Sequence, residues 1–185
     1  MHAQPLSIRD VILLTPEVHG DERGFFMESF NQRDFEALTG VSTTFVQDNH
    51  SRSRQGVLRG LHYQVERPQG KLVRVLAGEI LDVAVDIRRD SATFGQWVSA
   101  RLSATTHQQL WVPEGFAHGF LVLSEQAEVL YKTTDYYAPR GERAIRWDDP
   151  ALAIDWQRAD WSWGGEPTLS TKDRLAADFH TSEIN

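Results

Sequence analysis

Apolar residues fall in short runs cut by Gly, Pro, Asp and Asn, not in long amphipathic stretches. The runs at 6–14, 25–30, 44–46, 57–64, 71–77, 80–87, 97–102, 110–112, 116–123, 129–134 and 143–147 each have strand length and strand composition. The clearest is Ile80-Leu81-Asp82-Val83-Ala84-Val85-Asp86-Ile87, whose alternation puts Leu81, Val83, Val85 and Ile87 on one face. Helical patterning is confined to two segments. The first, 31–38, has Asn31 as its N-cap and Gly40 just past its end. The second, 170–179, opens with the capping-box pattern Ser170-x-x-Asp173. Residues 148–167, rich in Trp and Asp, read as an irregular wrap. Many short strands at this spacing predict an all-β sandwich or barrel, a single domain over 1–185.

Composition narrows the class. The 185 residues hold 41% hydrophobic and 24% charged side chains, which is globular, not disordered. No apolar run nears the ~18 residues of a membrane span, and MHAQPLSIRD has neither the basic start nor the apolar stretch of a signal peptide. The chain has no cysteine, so disulfides, thiolate catalysis and Cys-ligated metals are excluded. A cytoplasmic protein with no membrane partner is the expectation. The net charge of −7 argues against nucleic acid, which is held largely by basic side chains. Of the basic residues 16 are Arg and three are Lys (Lys71, Lys132, Lys172), a balance suited to bidentate phosphate or carboxylate recognition, though codon bias also yields it.

Two motifs carry candidate chemistry: Gly56-Val57-Leu58-Arg59-Gly60-Leu61-His62-Tyr63-Gln64 and Pro113-Glu114-Gly115-Phe116-Ala117-His118-Gly119-Phe120. Gly-x5-His followed by Pro-x-Gly-x2-His resembles the cupin signature, which implies a jelly-roll β-barrel. Gln64 stands where metal cupins have a second His, and no Glu follows in the ligand position. Two imidazoles alone are a poor shell for a divalent metal, so no metal is expected. Strand alternation groups His62 with Leu58 and Gln64, and Arg59 with Leu61 and Tyr63 on the other face. Gly56 and Gly60 leave room there for a bulge. His62 is either a core histidine or a general base oriented by a carboxylate. Asp173 is that carboxylate or only a helix cap. Lys71 opens the run QGKLVRV and either stabilises an oxyanion or snorkels at a strand end. Tyr131 packs or donates a proton. Arg23 and Arg59 hold a diphosphate or are ordinary surface charge.

The segments DERGFFMESF, QDNHS, GVLRGLHYQ, QGKLVRVLAGEILDVAVDIR, PEGFAHGF, YKTTDYYAPRGERAIRWDDPALAIDW and LSTKD, in that order over about 6–173, closely resemble the dTDP-4-dehydrorhamnose 3,5-epimerase family. The resemblance implies a cofactor-independent cupin-type jelly roll that forms a homodimer and acts on a dTDP-sugar. It assigns His62 as base, Asp173 as the group orienting it, Lys71 as the enolate stabiliser and Tyr131 as acid. It gives substrate contacts to Arg23, Phe26, Glu28, Gln47, Asp48, Asn49, Arg59, His118, Tyr137, Glu142 and Lys172, besides Lys71. The implied reaction inverts carbons 3 and 5 of dTDP-4-dehydro-6-deoxy-D-glucose, in dTDP-L-rhamnose biosynthesis.

Other readings compete, among them ketoisomerases of the same nucleotide sugar, which keep the cupin barrel but not the RGLHYQ and LSxKD sequences. Relatives that invert only one of the two carbons share these motifs. A metal-dependent cupin would use His62 and His118. A binding module would have kept the fold without the chemistry.

Overall fold

The computed structural model describes residues 1–184, leaving aside the side chain of Ala159. Two antiparallel sheets face each other. One has six strands in the order β1 (His2–Pro5), β2 (Ile12–Thr15), β10 (Gln109–Val112), β7 (Lys71–Ala77), β12 (Gln126–Thr133) and β5 (Gln47–Arg54). The other has five, β13 (Glu142–Ala144), β6 (Leu58–Gln64), β11 (Phe116–Val122), β8 (Glu79–Asp86) and β9 (Trp97–Ser103). A separate hairpin joins β3 (His19–Asp21) to β4 (Gly24–Phe26). The chain crosses repeatedly between the sheets, so sequence neighbours seldom pair, and the topology is the cupin-type jelly roll that the two His motifs imply.

Burial explains why the strands read as they do. Between the sheets Val73, Val75, Ile80, Ala84, Leu110, Val112, Phe120, Val122 and Val129 form the inner core. The far face of the five-stranded sheet is also buried: Leu58, Leu61, Leu81, Val83 and Val85 pack under Trp147, Leu152, Trp156 and Phe179 of the C-terminal wrap. Asp149, almost wholly buried, pins that wrap by accepting from the amides of Ala151 at 2.8 Å and Phe179 at 2.7 Å. A smaller cluster seats α1 (Gln32–Thr39) on the six-stranded sheet, with Phe35 edge-on to Trp111 at 5.3 Å. Asn31 caps this helix and Gly40 ends it at φ 71°, as its sequence predicts.

Three expectations are corrected. The run 6–14 is not one strand, because a turn at 6–11 divides it, closed by Leu6 N donating to Val11 O at 2.9 Å. The run 44–46 lies outside the sheet, and the strand is the polar segment 47–54 that follows. The helix expected over 170–179 stops as α2 (Thr171–Arg174): Leu175 is 80% exposed, and the chain turns so that Ala177 O accepts from Arg146 N. No helix among the described residues is long and apolar enough to cross a membrane.

Candidate active site

One cavity between the sheets takes side chains from both. Its position depends on an irregularity in β6. Opposite β11, His62 pairs with His118 but Arg59 pairs with Phe120, so β6 carries one residue more than its partner there. Gly60 is the site of this bulge. Its φ is +130°, and a Cβ on it would lie 2.5 Å from the Gly119 Cα. The bulge resets the alternation, which corrects the expected grouping. Leu58 joins Leu61 and Tyr63 in the outer core, while Arg59 lines the cavity with His62.

His62 Nε2 lies 2.5 Å from Asp173 Oδ1, the carboxylate being 3% exposed. Ser170 Oγ donates to Asp173 Oδ2 at 2.7 Å and accepts from the Asp173 amide at 3.1 Å. The capping box therefore fixes the carboxylate in place while leaving one oxygen for the imidazole. Burial alone would raise the Asp173 carboxyl, but bonds from His62 and Ser170 outweigh it and hold it below its ordinary value. An ionised carboxylate only accepts, so Nε2 carries the proton and Nδ1 keeps its lone pair. Burial lowers the His62 imidazole despite Asp173, which keeps it neutral at pH 7.

The opposite wall belongs to the six-stranded sheet. Tyr131 of β12 and Lys71 of β7 line the same cavity. Burial raises the Tyr131 phenol, so it stays protonated. Lys71 is buried, and its Nζ makes one hydrogen bond among the described residues, to His62 O at 3.4 Å, leaving donors unspent. Burial brings its ammonium down to about 8 against the pull of Asp82 and Glu142. A proton acceptor on one sheet thus faces a hydroxyl donor and a cation on the other.

The remaining candidates divide. Arg59, braced by Ser53 Oγ at 3.0 Å, His118, Tyr137 and Glu142 line the cavity. Glu142 accepts from Tyr137 at 2.8 Å and pairs with Lys172 at 2.5 Å across to α2. On β5 the half-buried Gln47 and Asn49 bond each other at 2.9 Å, and Gln47 Oε1 accepts from the Tyr137 amide. Strand alternation turns Asp48 to the other face, where it pairs with Lys132 at 2.9 Å. Arg23, Phe26 and Glu28 are not brought to the cavity. Arg23 pairs with Asp21 on the exposed β3–β4 hairpin, Phe26 is 72% exposed, and Glu28 accepts from Asn31 at the start of α1.

Gln64, at the position of a missing metal ligand, is occupied otherwise. Its Nε2 donates to Arg67 O at 2.7 Å and its Oε1 accepts from the Ala138 amide at 2.8 Å. Among the described residues no group of three or more His, Asp or Glu is arranged to hold a metal ion. One residue behind the cavity wall escaped the sequence reading. Asp82, wholly buried, meets His118 Nε2 at 2.8 Å. Its signal was a carboxylate sharing a strand face with Ile80 and Ala84.

The family model described as dTDP-4-dehydrorhamnose 3,5-epimerase matches residues 5–181. The dTDP-4-dehydrorhamnose 3,5-epimerase of Pseudomonas aeruginosa is 61% identical over 179 residues, covering 97% of this chain and 96% of its own. That of Salmonella typhimurium is 58% identical, covering 92% and 91%. The crystal structure of a dTDP-6-deoxy-D-glucose-3,5-epimerase from Legionella pneumophila, in complex with dTDP-4-keto-L-rhamnose, superposes with a TM-score of 0.93 at 51% identity, covering 98% of this chain and 94% of that one. The chain belongs to the dTDP-4-dehydrorhamnose 3,5-epimerase family.

Proposed function

We propose that this chain inverts carbons 3 and 5 of dTDP-4-dehydro-6-deoxy-D-glucose, a cytoplasmic step toward dTDP-L-rhamnose, by proton removal on one face of the sugar and return on the other. The observation that carries the reading is the opposition of His62 and Tyr131 across one cavity, on different sheets. Both carbons flank the C4 ketone, so loss of either C–H proton gives an enolate. His62 Nδ1 takes the proton, and Asp173 balances the imidazolium that forms. Lys71 supplies the charge that receives the enolate oxygen, a contribution worth about 10²–10³ in rate for one such donor. Tyr131 then protonates the opposite face, and the centre is inverted. The sequence needs no electron acceptor, since the carbon framework is neither oxidised nor reduced overall.

The diphosphate requires cation density in a protein of net charge −7. Arg59 supplies it from inside the cavity. In this reading the exposed hairpin bearing Arg23 and Phe26 serves a second copy of the chain, and a homodimer with exchanged hairpins completes each site. The exposed Phe25 and Phe26 support that reading, being the apolar surface a partner would cover.

Proton NMR of the substrate in heavy water tests the chemistry. The wild-type protein is expected to place deuterium at both carbons as the L-sugar accumulates. His62→Ala is expected to lose both exchange and inversion by 10²–10⁴-fold or more. Tyr131→Phe removes one oxygen and is expected to exchange faster than it inverts, because His62 returns the label to the face it came from. Inversion by Tyr131→Phe at the wild-type rate would remove Tyr131 from the mechanism.

A further inference from the structure

Asp82 lies at mid-strand in β8, on the face that Ile80 and Ala84 commit to the inner core. A carboxylate with no exposed surface costs several kcal/mol unless it is neutralised. Its two oxygens converge on one group, Nε2 of His118, at 2.8 and 3.0 Å. No other hydrogen bond reaches them among the described residues. His118 stands directly across from His62 in the β6–β11 register. Lys71 lines the same cavity as His118 and lacks a carboxylate within salt-bridge distance among the described residues.

We propose that Asp82 is a positioning residue for the epimerisation. It holds His118 in the form protonated on Nε2, so that Nδ1 is left for the reacting sugar, and it anchors the charge of Lys71 in the same cavity. The proposal rests on the reading that Lys71 receives the enolate oxygen. A carboxylate that accepts and does not donate leaves neutral His118 one choice of tautomer. The enolate oxygen then meets the Lys71 ammonium, a donor whose charge a buried anion supports before substrate arrives, while His118 Nδ1 is free to accept from a hydroxyl of the sugar.

The charges around Lys71 define the pH signature. Burial lowers its ammonium to about 8; Asp82 of β8 and Glu142 of β13 act upward, and Lys172 of α2 acts downward. From β6 comes the His62 carbonyl, from β11 His118, and from the adjacent β12 the Tyr131 phenol. β10, its other neighbour, contributes only Gln109, Leu110, Trp111 and Val112. Asp82 is therefore the chief group keeping Lys71 protonated at neutral pH.

Asp82→Asn keeps the volume and one acceptor oxygen for His118 Nε2, deletes the charge and turns the second oxygen into a donor. We expect kcat to fall about 10- to 100-fold with KM nearly unchanged. The alkaline limb of the kcat profile is expected to move about one unit toward lower pH. A purely structural Asp82 would lower the melting temperature and leave that limb where it is. A folded variant with the wild-type limb would overturn the proposal. The wild-type ¹⁵N shifts of His118 give a check that needs no variant, and a proton on Nδ1 in place of Nε2 would also overturn it. Lys71→Met separates the two readings. If it exchanges substrate protons at the wild-type rate, the role given to Lys71 fails. If it loses exchange while Asp82→Asn is unaltered, only the role of Asp82 fails.

Discussion

Lys71 shows how a single residue trades stability for chemistry. It is charged at pH 7, yet burial brings it from an ordinary 10.5 to about 8. A folded pKa below the unfolded one means that the protonated chain prefers to unfold. The cost is full below pH 8 and fades as pH rises toward 10.5. At 1.36 kcal/mol per unit it amounts to roughly 3 kcal/mol, an upper bound because neighbouring charges relax when the ammonium is lost. Lys71→Met, which keeps the stem and removes the charge, is expected to gain stability in urea unfolding at pH 7. The gain should shrink as the titration is repeated between pH 8 and 10.5. A loss of stability at pH 7 would show that Asp82 depends on Lys71 more than Lys71 suffers from burial. His62, Lys71, Tyr131 and Asp173 were each legible as candidates, because their residue types stand out in their motifs. Their relation came from the resemblance and not from the local residues, which left it open: Asp173 lies 111 positions from His62 and meets it only through the fold. Asp82 was passed over because its strand was read for its apolar face alone.

At the level of elements, the alternation rule succeeds wherever the pleat is regular and fails where it is not. β8 follows it, and both its faces are buried, so its apolar residues were easily seen. β5 was missed because it is an edge strand carrying QDNHSRSR, whose half-buried positions are polar and of which Ser51 lines the cavity. The helix over 170–179 was overextended because its start signal is real, yet Leu175 is left exposed and Phe179 reaches the outer core from a separate 3₁₀ turn (Phe179–Thr181). The decisive irregularity is the bulge in β6, which puts both Arg59 and His62 in the cavity. Gly60→Ala tests it. The added Cβ would meet Gly119 backbone at 2.5 Å and His118 O at 2.8 Å, at a φ that side chains seldom adopt. Neither backbone can retreat without opening the β6–β11 pairing. The variant is expected to lose about 2–4 kcal/mol of stability in denaturant titration. Residual folded protein should turn over at least 10-fold more slowly, since His62 and His118 flank the displaced segment. Gly60→Ala with wild-type stability and rate would mean that the bulge is not what aligns the site.

The whole molecule leaves one discrepancy between resemblance and geometry, and it yields the sharpest test of assembly. Arg23 and Phe26, substrate contacts by resemblance, sit on a hairpin that, among the described residues, pairs only with itself; its nearest ring contact is Phe25 against His107 at 4.6 Å. No residue of the hairpin lines the cavity that holds His62. Either the hairpin has no part in the reaction or it acts on another copy, and its exposed Phe25 and Phe26 favour the second. Two defective proteins separate these cases. Arg23→Ala spoils the hairpin and keeps the base, while His62→Ala spoils the base and keeps the hairpin. If hairpins are exchanged in a two-fold dimer, a mixed dimer contains one site with both defects and one with neither. Co-refolding equal amounts makes about half the dimers mixed, so the mixture is expected to recover roughly a quarter of the wild-type rate. If each hairpin serves its own chain, every site keeps one defect and the mixture shows only the average of its two components. Sedimentation of the same samples checks that dimers form at all. A monomer with full activity in Arg23→Ala would remove the hairpin from the site and the homodimer from the mechanism.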